Sequence, residues 1–104
     1  MRAGDIVRID FGTPARGEPG FVRPGVVVTS DDVLEFRQNA VVVVPCTTTL
    51  RGWLTEVEVP GFGTAQAHLP TTISVDRIVE TTDTNIGPVA LRQIRELIAD
   101  LLGL

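Results

Sequence analysis

Four consecutive valines, Val41 to Val44, constrain this chain more than any other feature. They stand between Ala40 and the pair Pro45-Cys46. β-Branched side chains crowd a helical turn and fit a pleated strand. A run that is apolar at every position, not at alternate ones, needs cover on both faces. Ala40 to Cys46 is therefore expected as the most deeply buried strand. Pro45 weakens only its far end, because proline cannot donate to a ladder.

The other segments supply the cover. Asp5 to Phe11 alternates, with Val7, Ile9 and Phe11 on one face and Arg8 and Asp10 on the other, as a half-buried strand does. Gly12 to Gly20 holds three further Gly and Pro positions between its end glycines and reads as a long loop. Pro24 to Ser30 is a second strand. Asp31 to Asn39 is polar, with room for one helical turn. Trp53 to Val59 alternates as a fourth strand, and Pro60 to Gly63 turns. Thr71 to Val75 and Arg77 to Val79 read as one or two short strands. Pro88 opens a helix running to Leu102, with an apolar stripe of Leu91, Ile94, Ile98 and Leu101, and Gly103 stops it. About five strands and one helix imply a mainly β fold: a small antiparallel barrel or strongly curled sheet with a C-terminal helix over one open side. A barrel this small has no internal ligand cavity, so function is expected on a loop-rimmed face.

The 104 residues are enough for a single domain, 1–104. One cysteine, Cys46, leaves no internal disulfide and fits a reducing compartment. With His68 as the sole histidine, no cysteine-built zinc site fits within one chain, and neither a metal nor a cofactor is expected. No apolar stretch approaches the ~20 residues of a membrane helix, and no signal peptide opens the chain, so a cytoplasmic location without membrane attachment is expected.

Net charge is −4, which speaks against general nucleic-acid binding. Its distribution matters more. All nine basic residues are Arg, and six of them (Arg2, Arg8, Arg16, Arg23, Arg37, Arg51) lie in residues 1–52, where they balance six acids. The second half carries the whole net negative charge. Arginine's planar fork suits bidentate phosphate recognition, so anion chemistry belongs in the first half.

Pro24 forces Arg23 into an extended conformation at the loop–strand junction. Thr47 leaves the valine strand at its other end. If those two strands are antiparallel neighbours, Arg23 and Thr47 meet at one end of the sheet, with the loop carrying Glu18 above them. A guanidinium, a hydroxyl and a carboxylate make a phosphodiester site, in which Arg stabilises developing charge, Thr donates and Glu takes a proton. Spacing alone leaves a second reading open, with Arg23 paired to a local carboxylate and Thr47 capping a strand. Cys46 reads as a buried, inert thiol.

Three blocks carry a family resemblance. Gly4-Asp5-Ile6-Val7-Arg8-Ile9-Asp10-Phe11, then Gly17-Glu18-Pro19-Gly20-Phe21-Val22-Arg23-Pro24-Gly25-Val26-Val27-Val28-Thr29-Ser30, then Val41-Val42-Val43-Val44-Pro45-Cys46-Thr47-Thr48-Thr49-Leu50-Arg51-Gly52 stand in order, and Ile98 to Leu104 closes the chain on Leu-Gly-Leu. In this the chain resembles the MazF/PemK (Kid) toxins of bacterial toxin–antitoxin modules.

The resemblance implies an SH3-like barrel shared with the CcdB gyrase poisons, a homodimer, and a sequence-specific, metal-independent endoribonuclease acting on single-stranded RNA. The products implied are 2′,3′-cyclic phosphate and 5′-OH ends, and the consequence is growth inhibition. The family's catalytic Arg falls on Arg23, its catalytic Thr on Thr47 and a motif Glu on Glu18. Arg16, Phe21, Thr48 and Arg51 are the expected RNA contacts, with Trp53 available for stacking. A cognate antitoxin with an acidic, partly disordered C-terminal segment is expected over the Arg23 face, and DNA contact only through that antitoxin. Two departures stand out. Ser74 occupies a position where some relatives carry Arg, two before Asp76. The stretch from Asp83 to Pro88 is short, so a late strand is expected to be truncated. The alternatives are a CcdB-like poison of a protein target such as gyrase, and a catalytically silent antitoxin-bound component.

Overall fold

A computed structural model describes residues 1–36 and 39–104, so Arg37, counted above among the first-half arginines, lies outside the described residues. The elements follow as β1 (Asp5–Asp10), β2 (Val22–Val27), α1 (Asp31–Leu34), β3 (Ala40–Thr47), β4 (Glu56–Val59), β5 (Gly63–Gln66), β6 (Thr71–Ser74), a 3-10 turn (Val75–Arg77), β7 (Ile78–Asn85) and α2 (Gly87–Leu102). Seven strands form one curled antiparallel sheet in the order β4-β5-β3-β2-β1-β7, with β6 paired to β3. The curl is that of a small barrel, but β4 and β7 end the order and the ladder stays open.

The valine strand is the spine of this sheet. One edge of β3 pairs with β2 through Val26↔Val44. The other edge is shared, with β6 along Ala40 to Val43 and β5 at Cys46 and Thr47. Pro45 falls in the gap between these two neighbours, where its missing N–H interrupts the edge. Both faces of the run are covered, as its composition requires. Val26 and Val44 join Ile6, Val57, Leu91 and Ile94 in one apolar cluster under α2. Val27 and Val43 join Val7, Ile9 and Ile73 in a second on the opposite face. Each fully buried valine contributes roughly 1.5–3 kcal/mol of transfer free energy.

Four expectations change. β2 begins at Val22, two residues early, because Asp10 and Ile9 of β1 pair with Val22 and Arg23. β4 begins at Glu56, not Trp53, because Glu56 N donates to Trp53 O and makes the preceding residues a turn. β5 was not legible, since Gly-Thr-Ala-Gln lacks bulky strand formers, and its place comes from pairing with β3 and β4. The late strand is longer than the Arg77 to Val79 expected: β7 runs eight residues along β1. Its sequence, Glu80 to Asn85, is polar on both faces because most of it is exposed at the sheet edge.

α2 behaves as read. Pro88 lies in its first turn, and Gly103, at φ 74°, ends it by turning Leu104 N back onto Ala99 O at 2.8 Å. Leu91 and Ile94 are buried, whereas Leu101 and Leu102 remain exposed. Among the described residues, no helix is long and apolar enough to cross a membrane.

Cys46 is buried in β3, and burial pushes its thiol up to about 12 from 9.0. The unfolded thiol ionises near the lower value, so stability is complete below it and is lost as pH rises toward the folded value. The chain has no Tyr and no Lys to titrate in that window. Urea midpoints are expected to fall from about pH 9 upward, and Cys46→Val is expected to remove most of that slope.

Candidate phosphodiester cleft

The strand exchange between β2 and β3 builds the site. Gly25 pairs with Pro45, and continuing that register outward by two residues sets Arg23 opposite Thr47. Both line an open cleft of about 570 Å³, together with Arg8, Phe21, Thr48 and Phe62. The arrangement expected from the order of the strands is therefore present for these two residues. No carboxylate is among the residues lining this cleft.

The loop before β2 is pinned at its neck. Phe21 N donates to Gly12 O at 2.7 Å, and Phe11 N donates to Phe21 O at 2.9 Å. Phe21 is the one described non-glycine residue with positive φ, at 60°. That conformation is costly for an aromatic residue and persists only where its surroundings impose it. It leaves the ring 65% exposed at the lip of the cleft. Arg23 Nε donates to Gly20 O at 3.0 Å. This bond anchors one side of the guanidinium and leaves the paired terminal Nη groups for a ligand.

Thr47 is held from two sides. Its Oγ1 accepts from Thr49 N at 3.1 Å, and its carbonyl accepts from Thr64 Oγ1 at 3.4 Å. A hydroxyl that accepts from a backbone N–H keeps its own proton free to donate. Gly63 of β5 approaches so closely that a Cβ there would run into the Thr47 carbonyl, and its φ is +89°. Glycine at 63 is thus a condition for the position of Thr47.

Glu18 is not brought to this pair. It lines a separate cleft of about 330 Å³ with Phe11, Ser74 and Arg77. Its Oε1 accepts from Ala15 N at 2.7 Å, so the carboxylate closes its own loop three residues back. That local bond is why the expected place above Arg23 and Thr47 is not taken up. Arg16 is exposed in the same loop and does not line the Arg23 cleft. Asp76 is exposed in the 3-10 turn, where its N–H donates to Ser74 Oγ.

Thr48 lines both the Arg23 cleft and a neighbouring one of about 750 Å³ that Trp53 also lines. Arg51 N donates to Glu56 Oε1 at 3.2 Å, and its guanidinium lies 5.2 Å from the centre of the Trp53 ring. Trp53 packs edge-on against His68, with ring centres 5.0 Å apart, and His68 Nδ1 shares a hydrogen bond with Thr55 Oγ1. His68 is thus a structural link beneath Trp53. Trp53 itself is 50% exposed.

Arg8 and Phe62 are among the lining residues that sequence reasoning passed over as site members. The alternation of β1 marks Arg8 as facing away from Val7 and Ile9, but which strand flanks it is a tertiary fact. Among the described residues, no three His, Cys, Asp or Glu cluster as metal ligands would. The cleft brings guanidinium and hydroxyl donors together at one end of the sheet.

Known proteins of this shape carry the same frame. MazF from Deinococcus radiodurans superposes with TM-score 0.87 at 22% identity, over 100% of this chain and 97% of that one. An endoribonuclease from a Mycobacterial species, solved with its cognate antitoxin, gives 0.79 at 23% identity, over 100% and 96%. The Mycobacterium tuberculosis toxin MazF-mt6 gives 0.72 at 23% identity, over 96% and 97%. No curated protein sequence matches the chain. These likenesses establish the fold. Residues 2–102 also match, as sequence, the family described as PemK-like, MazF-like toxin of type II toxin-antitoxin system. With the match spanning nearly the whole chain and the strand exchange that joins Arg23 to Thr47, this protein belongs to the PemK/MazF toxin family.

Proposed function

We propose that this chain is a sequence-specific, metal-independent endoribonuclease that cuts single-stranded RNA and so arrests growth. The observation that carries the reading is the Arg23–Thr47 pair, with two guanidinium nitrogens and one hydroxyl proton left to face a phosphate. The 2′-oxygen attacks phosphorus, the bond to O5′ breaks, and a 2′,3′-cyclic phosphate and a 5′-OH result. The 2′-OH proton passes to solvent, because the described lining holds no carboxylate to take it. A proton from solvent reaches O5′ as it leaves. Arg23 stabilises the charge on the phosphorane oxygens, and Thr47 donates to one of them. These donors carry the charge that a metal ion would otherwise neutralise. Phe21 stacks a base at the lip, and Thr48 and Arg51 continue the strand toward Trp53.

A homodimer and a cognate antitoxin complete the proposal. A relative of this fold was solved with its antitoxin, and an acidic peptide complements the Arg8–Arg23 cleft. Contact with DNA belongs to the antitoxin, since this chain's net charge is −4.

The test is a long unstructured RNA incubated with the purified protein in EDTA. Discrete cuts with cyclic-phosphate ends are expected. Absence of cutting across several diverse RNAs by the folded protein would overturn the reading in favour of a poison of a protein target.

A further inference from the structure

We propose that Arg8 is a second phosphate-binding residue of the cleft, holding the phosphate next to the scissile one; this rests on the RNA-cleaving reading above. Arg8 stands in β1 between Pro24 of β2 and Glu80 of β7. It is half-buried and lines the same cleft as Arg23. A guanidinium is always charged, and withdrawing it from water costs free energy unless a partner offsets the loss. Among the described residues, no hydrogen bond engages its side chain. Glu80, its neighbour across the ladder, is exposed on β7.

The ladder separates the roles of the two arginines. Arg8 pairs with Pro24, and Ile9 pairs with Arg23. Adjacent pairs in a ladder start their side chains from opposite faces. Two guanidiniums that enter one cleft from different faces suit two successive phosphates better than one. Arg23 is the member opposite Thr47, so the scissile phosphate belongs to it. Arg8 takes the phosphate one nucleotide along, and Phe21, lining the same cleft, is placed for the base between them. The ligand class is a single-stranded polynucleotide with at least two consecutive phosphates.

The experiment uses oligonucleotides with one ribonucleotide at a mapped cut site in an otherwise deoxy strand. In two further versions, the linkage on one side or the other of the cut is an uncharged methylphosphonate. On the all-phosphate strand, Arg8→Ala is expected to lower kcat/KM roughly tenfold to a hundredfold, mainly through KM, as for loss of a charge-assisted contact. The salt dependence of binding becomes shallower by about 0.7 in log–log slope, the value for one phosphate on a single strand. On one of the two methylphosphonate strands, the native protein loses a similar factor and Arg8→Ala loses nothing more. Arg8→Lys, which keeps the charge, recovers part of the loss and guards against misfolding. Losses that simply add on both methylphosphonate strands, or no loss in Arg8→Ala, overturn the proposal. If the native protein cuts no RNA, the activity falls separately. Binding of a fully deoxy strand, followed by the single tryptophan, then decides Arg8: a shallower slope in Arg8→Ala supports the site and an unchanged slope overturns it.

Discussion

Arg23→Ala is expected to reduce RNA cleavage by at least about a hundredfold, the usual cost of removing one donor aimed at a developing oxyanion. The fold should survive. Arg23 is half-buried, and the bond it loses, Nε to Gly20 O, contributes only about 1 kcal/mol net. Arg23→Lys should also fail to restore full rate, because a point charge cannot reproduce the two parallel terminal donors. The contrast is Glu18→Gln. Its carboxylate closes its own loop and lines a different cleft, so cleavage should stay within about tenfold of the native rate. Rates on a chimeric oligonucleotide, with thermal unfolding of each variant alongside, check all three. An Arg23→Ala protein that cuts at the native rate would remove the foundation of the proposed site.

Gly63→Ala carries the largest expected loss of stability, about 3 kcal/mol. Two penalties combine there. The backbone is at φ +89°, and a Cβ collides with the Thr47 carbonyl, which is backbone and cannot swing aside. Gly61 supplies the control. It lies two residues away at φ +85° with open space around the added atom, so Gly61→Ala meets the conformational penalty alone, about 1 kcal/mol. Urea midpoints should drop by roughly 1–3 M for Gly63→Ala and by well under half of that for Gly61→Ala. A Gly63→Ala protein that still folds in the cold should cut RNA poorly, because β5 pushes the Thr47 carbonyl out of register with Arg23. Equal stability losses at 61 and 63 would mean that the close approach to Thr47 does not matter.

The legible part of this protein was the part set by local chemistry. The valine run reads as a doubly covered strand because its β-branched residues disfavour a helix and every position is apolar, and Val26, Val27, Val43 and Val44 divide between two clusters accordingly. The helix from Gly87 to Leu102 was marked by its proline, its periodic stripe and its terminal glycine. Arg23 and Thr47 could be placed together only on the condition that their strands are antiparallel neighbours, a condition that the β2–β3 ladder meets. Strand β5 and the length of β7 were not legible. Gly-Thr-Ala-Gln and Glu-Thr-Thr-Asp-Thr-Asn carry little strand preference of their own, and each extends only because a partner strand offers it a ladder. Glu18 was misplaced because a loop carboxylate chooses among nearby N–H groups, and Ala15 was closer than the cleft. Arg8 was visible as a charge on a strand but not as part of a site. By itself the sequence determined that the valine segments are buried strands and that Arg23 and Thr47 lie at strand ends, since burial and chain reversal follow from side-chain polarity and proline and glycine placement. Only the tertiary structure decided which loop groups turn into the cleft and which strands flank Arg8, because those depend on pairings between residues far apart in the chain, which no local preference specifies.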